Sequence, residues 1–172
     1  MAAVPNWPSR ILPTPGPVSS EMSDRSDLFL GLSALLTGFS RVQLLGTGVA
    51  DEYLRTLRET LPPDVLDGLL DTYERLPGGD QREAAISSEI LGDSRLGPVA
   101  RNLILLWYCG SWTALPDDWR KSYGTSPLDT DRVISAASYV AGLQWVAAGA
   151  HPVGARQQGF GAWALAPEGG TG

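Results

Sequence analysis

His151 is the only histidine in the chain and the residue best suited to acid–base chemistry, because histidine alone titrates near neutral pH without help from its surroundings. A general base also needs an orienting partner and a nucleophile or substrate within hydrogen-bond reach. The flanking sequence AHPVGARQQG supplies neither a carboxylate nor a side-chain hydroxyl, although the distant Asp117, Asp118 or Asp129 can approach it in the fold. We therefore interpret His151 as a hydrogen-bonding residue rather than a catalytic or metal-binding one.

The segment GAHPVGARQQGFGAW, residues 149–163, has the composition expected of a segment that docks along another surface. Its glycines let the backbone lie close against another surface, and Phe160 and Trp163 offer large apolar side chains. Fixing the whole segment costs more conformational entropy than burying two aromatic rings returns. The tail is therefore ordered only if its backbone is hydrogen-bonded to a surface, which belongs either to its own domain or to another protein. We predict that residues 149–172 form a Gly-rich docking tail.

Trp112 and Trp119 lie in the sequence SWTALPDDWRKSYG, which we predict to be a loop. Aromatic residues in such a position are either a satellite of the core or anchors of an interface, and the sequence leaves both possibilities open. Three further aromatic residues on helical segments are expected to form the supporting core: Trp107, Tyr108 and Trp145.

The overall composition excludes several classes of protein. The net charge of −6 argues against binding to nucleic acid or to an anionic membrane, because both need clustered positive charge. The single cysteine, Cys109, excludes an intrachain disulfide and a cysteine-based zinc site. No apolar run approaches the length of a membrane span. With 43% hydrophobic and 19% charged residues, the chain has the composition of a globular domain.

Hydrophobic periodicity predicts a single all-α domain of five or six helices over residues 24–148. Residues 1–23 contain several prolines and are predicted to be an extended arm. The apolar sequence LGPVARNLILLWYCGSW, residues 96–112, predicts a helix that is buried on most sides. The last helix is predicted over residues 131–148, with Thr130 as its N-cap.

Three sequences in this order resemble the small subunit of bacterial FAD-dependent sugar and polyol dehydrogenase complexes. They are LGPVARNLILLWYCGSW, LPDDW and SYVAGLQWVAAGAHPVGARQQGFGAWA, and DLFLGLSALLTG resembles the opening helix of that family. The resemblance covers about residues 25–166. The family includes the small subunits of sorbitol, fructose and glucose dehydrogenases.

The resemblance implies a non-catalytic subunit without a cofactor of its own. In these complexes a large subunit of the glucose–methanol–choline oxidoreductase type holds FAD and oxidises the sugar. A multihaem cytochrome c subunit passes the electrons to quinone in the membrane. The small subunit binds, stabilises and escorts the catalytic subunit during its export to the periplasm, where the complex lies at the cytoplasmic membrane.

The sequence departs from the family pattern at two places. No twin-arginine pair precedes residue 25, which bears on the export role more than on the binding role. Some family members have a cysteine before the tail proline that can bridge to the catalytic subunit, whereas this chain has His151 there. The residues expected to contact the partner are Trp112, Trp119, His151, Pro152, Phe160 and Trp163.

Two other functions are compatible with the sequence. A small helical enzyme or sugar-binding protein would use His151 as a general base and the aromatic cluster as a platform for the sugar. A free-standing adaptor for a different client would be stable and monodisperse when it is expressed alone.

Overall fold

Helices joined by short loops make up most of the described chain. The computed structural model describes residues 17–152, and side chains from residue 24 onward. The helical elements are α1 (Pro17–Thr37), α2 (Arg41–Gly46), α3 (Ala50–Thr60), α4 (Pro63–Arg75), α5 (Gln81–Ala85), a π-helix (Ile86–Leu91), α6 (Leu96–Cys109), α7 (Asp117–Tyr123), α8 (Ala136–Ala141) and α9 (Leu143–Ala147). Two short antiparallel strands, β1 (Ser111–Trp112) and β2 (Arg132–Val133), complete the described part. The prediction of a single all-α domain is confirmed.

The core is built around α6, which packs against α1, α4, the π-helix, α8 and α9. The side chains of Val99, Leu103 and Leu106 are fully buried, so the prediction of a helix buried on most sides is confirmed. The ring of Trp107 lies edge-on to Tyr53 of α3, with 4.9 Å between the ring centroids. Burial raises the pKa of the Tyr53 phenol far above its ordinary value, so the hydroxyl stays protonated at physiological pH.

Helix α3 has the one-sided apolar stripe that its sequence predicts. Tyr53, Leu54 and Leu57 are buried on one face, and Leu61 follows them into the core just after the helix ends. The opposite face carries charged residues to solvent.

Helix α1 begins earlier than predicted, and this corrects the boundary of the N-terminal arm. It starts at Pro17, so residues 17–23 are helical rather than extended. Proline is well accommodated in the first turn of a helix, because its missing N–H would have no partner there in any case. The rest of the predicted arm, residues 1–16, lies outside the described residues.

The last predicted helix is divided into two by Gly142. The backbone of Gly142 is extended, with φ −52° and ψ 128°, and it separates α8 from α9. Residues 131–135 are not helical, and Ser135 rather than Thr130 caps α8. A Cβ atom at Gly142 would lie 2.7 Å from the carbonyl oxygen of Tyr108, so a glycine lets the chain pass close to the end of α6.

Two short helices, α2 and α7, raise the number of helices above the five or six expected, and α7 lies in the segment that was predicted to be a loop. Helix α2 follows α1 after three residues, and α7 begins directly after Pro116. Asp117 and Asp118 lie in the first turn of α7 and Lys121 in its last turn. This arrangement of charges favours a helix through its dipole.

Two glycines in helices should respond in opposite ways to substitution by alanine. A Cβ at Gly97 in α6 would lie 2.6 Å from the carbonyl oxygen of Leu91, whereas a Cβ at Gly68 in α4 meets no atom within 4 Å. We expect Gly97→Ala to lower the free energy of unfolding by about 1–3 kcal/mol through overpacking. Gly68→Ala should raise it by about 0.5–1 kcal/mol through helix propensity. Urea unfolding followed by circular dichroism measures both, and equal effects of the two changes would contradict this account of α6 packing.

Candidate functional site

The structure contains an open groove with a volume of about 1020 Å³. Phe39 and α2 form one side of it, and α8, α9 and residues 149–152 form the other. Phe39 and Gln43 contribute to the first side, and Ala137, Trp145 and Val146 to the second. Among the described residues that line the groove there is no Asp, Glu, Lys or Arg. The groove is therefore an uncharged and mostly apolar surface.

The α8 side of the groove is fixed to the end of α6 through Gly110. Gly110 ends α6 in the left-handed region, with φ +67°. Its carbonyl oxygen accepts hydrogen bonds from the Ile134 amide at 2.9 Å and from the Ser138 hydroxyl at 3.1 Å. A Cβ at Gly110 would lie only 2.5 Å from the backbone of Ser138. A capping box between Ser135 and Ser138 starts α8 at this point.

The α2 side is fixed by the turn between α1 and α2. Ser40 and Gln43 form a capping box that starts α2. The Tyr108 hydroxyl donates to the carbonyl oxygen of Thr37 at 3.0 Å. The Tyr108 ring also contacts Phe39 edge-on, with 6.1 Å between centroids. Tyr108 is half-buried, and it links α6 to Phe39 in the lining of the groove.

A Schellman motif at the end of α9 directs the chain back into the groove. Gly149 is left-handed, with φ +61°, and its amide donates to Val146 at 3.2 Å. The amide of Ala150 donates to the carbonyl oxygen of Trp145 at 2.8 Å. This pair of hydrogen bonds defines the motif. It places both His151 and Pro152 in the lining of the groove.

Three large apolar side chains are exposed on the helices that border the groove. Val146 in the lining is 69% exposed, and Val42 and Leu45 on α2 are 78% and 55% exposed. Large apolar side chains clustered on a surface mark sites of interaction. The small residues of α8, such as Ala137, leave room above the helix for bulky side chains from another segment. The surface is suited to binding an apolar peptide or protein segment.

His151 is exposed at the groove, and no residue among 24–152 forms a hydrogen bond with its ring. It shares the lining with Phe39 and Trp145, whereas Asp129 is buried elsewhere and bonded to other groups. Within the described residues, no cluster of three or more metal-ligating side chains is present. His151 therefore lies on the surface of the protein, and no described carboxylate forms a hydrogen bond that could orient its ring.

Trp112 and Trp119 are part of the core, which corrects their prediction as partner contacts. Their exposed fractions are 1% and 4%, so they offer almost no area to another protein. The Trp119 Nε1 donates to the carbonyl oxygen of Arg95 at 2.8 Å, and its ring contacts Tyr123. The sequence left open whether these two residues belong to the core or anchor an interface, and the structure shows that they are buried in the core.

The buried carboxylate of Asp129 holds Trp112 and Leu115 in place, a role that the sequence did not predict. Its buried carboxylate accepts hydrogen bonds from the Trp112 Nε1 at 2.8 Å and from the Leu115 amide at 3.1 Å. Arg120 lies 3.9 Å from the same carboxylate. The sequence SPLDTD offers two aspartates at this turn, and nothing in their spacing distinguishes the buried Asp129 from the exposed Asp131.

The other aromatic residues singled out in the sequence are Trp107, Trp145, Phe160 and Trp163. Trp107 is 1% exposed and lies in the core as predicted. Trp145 is half-buried and lines the groove, where its Nε1 donates to the carbonyl oxygen of Tyr139 at 2.8 Å. Phe160 and Trp163 lie outside the described residues, as does most of the predicted docking tail.

The chain matches none of the protein-family models, curated proteins or solved structures with which it was compared. The resemblance to dehydrogenase small subunits accordingly rests on the motifs quoted above. No helix among the described residues has both the length and the apolar character needed to cross a membrane.

Removal of the Asp129 carboxylate should destabilise the fold. Asp129→Ala leaves the buried Trp112 Nε1 and the Leu115 amide without their acceptor. We expect the free energy of unfolding to fall by about 2–4 kcal/mol, since hydrogen bonds to a buried charged group are costly to lose. The matched change Asp131→Ala removes one exposed acceptor of the Ala114 amide and should cost about 1 kcal/mol or less. Denaturant unfolding measures both values, and a loss at Asp131 as large as at Asp129 would contradict the anchoring role.

Proposed function

We propose that this chain is a non-catalytic small subunit that binds, stabilises and escorts the FAD-containing catalytic subunit of a membrane-associated sugar or polyol dehydrogenase complex. The observation that carries the binding role is the uncharged groove, together with the exposed side chains of Val146, Val42 and Leu45 on the helices that border it. The sequence motifs quoted above supply the identity of the partner. In this proposal FAD belongs to the catalytic subunit and haem c to a multihaem cytochrome c subunit, and the complex is periplasmic.

We place the centre of the proposed interface at the groove, because Trp112 and Trp119 are buried and offer almost no area to a partner. His151 and Pro152 lie in its lining together with the exposed Val146; His151 is exposed there and Pro152 is buried. An apolar segment of the catalytic subunit that enters the groove would cover these side chains. Binding to the folded state of the partner stabilises that state by mass action, without any chemistry in this chain.

The acidic middle of the chain is a second feature compatible with a protein partner. Residues 51–93 are rich in Asp and Glu, and many of these side chains are exposed on α3, α4 and α5. Such a surface favours association with a basic protein surface and opposes contact with anionic lipid or nucleic acid. We expect this acidic surface to orient the two proteins as they associate, with little effect on the affinity of the complex.

A charged side chain in the groove should prevent assembly. Ala137 on α8 and Ala84 on α5 are both exposed helical alanines, but only Ala137 lines the groove. We expect Ala137→Arg to abolish recovery of the flavoprotein with the tagged chain, because an apolar segment cannot cover a guanidinium without desolvating it. Ala84→Arg should leave recovery unchanged. Both variants are expressed in cells that also produce the catalytic subunit, and released FAD is measured by fluorescence.

Two results would count against the proposed interface. Recovery of equal FAD with Ala137→Arg and with the original chain would exclude the groove as the binding surface. Purification of the original chain without any flavin, from cells that contain the active dehydrogenase, would exclude the partner. Circular dichroism of both variants checks that the helical fold is intact.

The alternative of a small helical enzyme or sugar-binding protein is favoured by one observation, the presence of His151, Phe39 and Trp145 in the same groove. In that case His151 would be a general base. Our proposal instead expects His151→Ala to leave sugar oxidation per recovered FAD unchanged, whatever its effect on assembly. A dye-linked assay on the purified complex measures this ratio. Normal FAD recovery with oxidation abolished would overturn the non-catalytic assignment.

A further inference from the structure

We propose that Arg41, Tyr73 and Arg82 form a binding site for a soluble ligand that carries a phosphate group. The three residues come from three different helices, α2, α4 and α5, and the two arginines meet around the side chain of Tyr73. Neither arginine lines the groove, so this site is separate from the one described above. The inference depends on the arrangement of these side chains and not on the identity of a protein partner.

Gly31 of α1 allows Arg41 to reach the hydroxyl group of Tyr73. A Cβ atom at Gly31 would overlap both the Nη2 of Arg41 and the hydroxyl oxygen of Tyr73, so these two polar atoms lie close together at the glycine. The side chain of Tyr73 is buried in the core, and this packing holds its hydroxyl group in one position. The phenol and the first guanidinium are therefore placed together by the fold.

Arg82 approaches the same tyrosine from α5. Its Cζ lies 5.0 Å from the centroid of the Tyr73 ring, which is the geometry of a cation–π contact. Two guanidinium groups therefore lie near one phenol. Like charges that are held near the same residue repel each other, and an anion bound by both guanidinium groups would offset that repulsion.

Neither guanidinium group is neutralised by a carboxylate in the described part of the chain. Within residues 24–152, the guanidinium groups of Arg41 and Arg82 form no hydrogen bond and no ion pair. By contrast, Arg25 of α1 pairs with two carboxylates of α4, those of Asp67 and Asp71. Although the net charge of the chain is −6, these two arginines have no described carboxylate partner and can bind an external anion.

The donors at this site match a phosphate group better than they match a monoanion. A guanidinium group is planar and donates two parallel hydrogen bonds to phosphate oxygens, and a phenol donates one more. Two positive charges also balance the nearly two negative charges of a phosphate monoester at neutral pH. The exposed carboxylates on α4 and α5 oppose contact with an anionic membrane, so we expect a soluble ligand and an affinity in the millimolar range.

The site can be tested by NMR titration of the free, full-length chain with sodium phosphate at neutral pH. We expect saturable shifts of the guanidinium signals of Arg41 and Arg82, and no comparable shifts with sodium chloride at the same ionic strength. Glycerol 3-phosphate should shift the same signals. Acetate should bind at least about tenfold more weakly, because it carries one charge and fewer acceptor oxygens.

Substitutions separate a formed site from a general attraction of anions. Arg41→Gln and Arg82→Gln should each weaken phosphate binding at least about tenfold, measured on the signal of the remaining arginine, because each removes hydrogen bonds to a charged group. Tyr73→Phe retains the ring and should weaken binding about threefold through the loss of one donor. Arg58→Gln is the matched control, since Arg58 is an exposed arginine of α3 without an ion pair to any described residue. It should leave the affinity unchanged, and circular dichroism checks the fold of every variant.

The absence of saturable shifts with phosphate would overturn the proposal. Equal weakening by Arg41→Gln and Arg58→Gln would also overturn it, because only the net charge would then matter. Equal affinity for acetate would exclude phosphate as the preferred group. Vesicles of phosphatidylcholine with phosphatidic acid test a lipid as the source of the phosphate, and sedimentation with them that is lost in Arg41→Gln would overturn the assignment of a soluble ligand. None of these measurements involves the catalytic subunit, so their failure leaves the proposed function standing.

Discussion

The close contact between the end of α6 and the start of α8 is the constraint on which the candidate site depends. The carbonyl oxygen of Gly110 accepts from both Ile134 and Ser138, and a side chain at Gly110 would collide with the backbone of Ser138. Gly142 passes equally close to Tyr108. These contacts hold α8 against α6, with Ser138 buried and Ala136 and Ala137 exposed to solvent.

The α8 side of the groove is lined by small residues, among them Ala136, Ala137 and Ala141. Helix α8 is short and rich in alanine, and such a helix cannot fill the space between itself and α2 with its own side chains. Tyr108 holds the turn before α2 in place through the Thr37 carbonyl and the Phe39 ring. The two sides of the groove are therefore fixed independently to α6. A groove whose two sides are held in this way is largely preformed.

Local periodicity was sufficient to predict the buried faces of α3 and α6 but not the long-range polar contacts. The buried face of α3 and the burial of α6 could be predicted because each depends on the spacing of apolar residues within one segment. The burial of Trp112 depends on Asp129, which is distant in sequence and indistinguishable there from Asp131. The break at Gly142 likewise depends on the approach of Tyr108. Of the predicted contacts that the structure describes, only His151 and Pro152 line the groove. Trp112 and Trp119 are buried, and their indole N–H groups donate to acceptors within the domain.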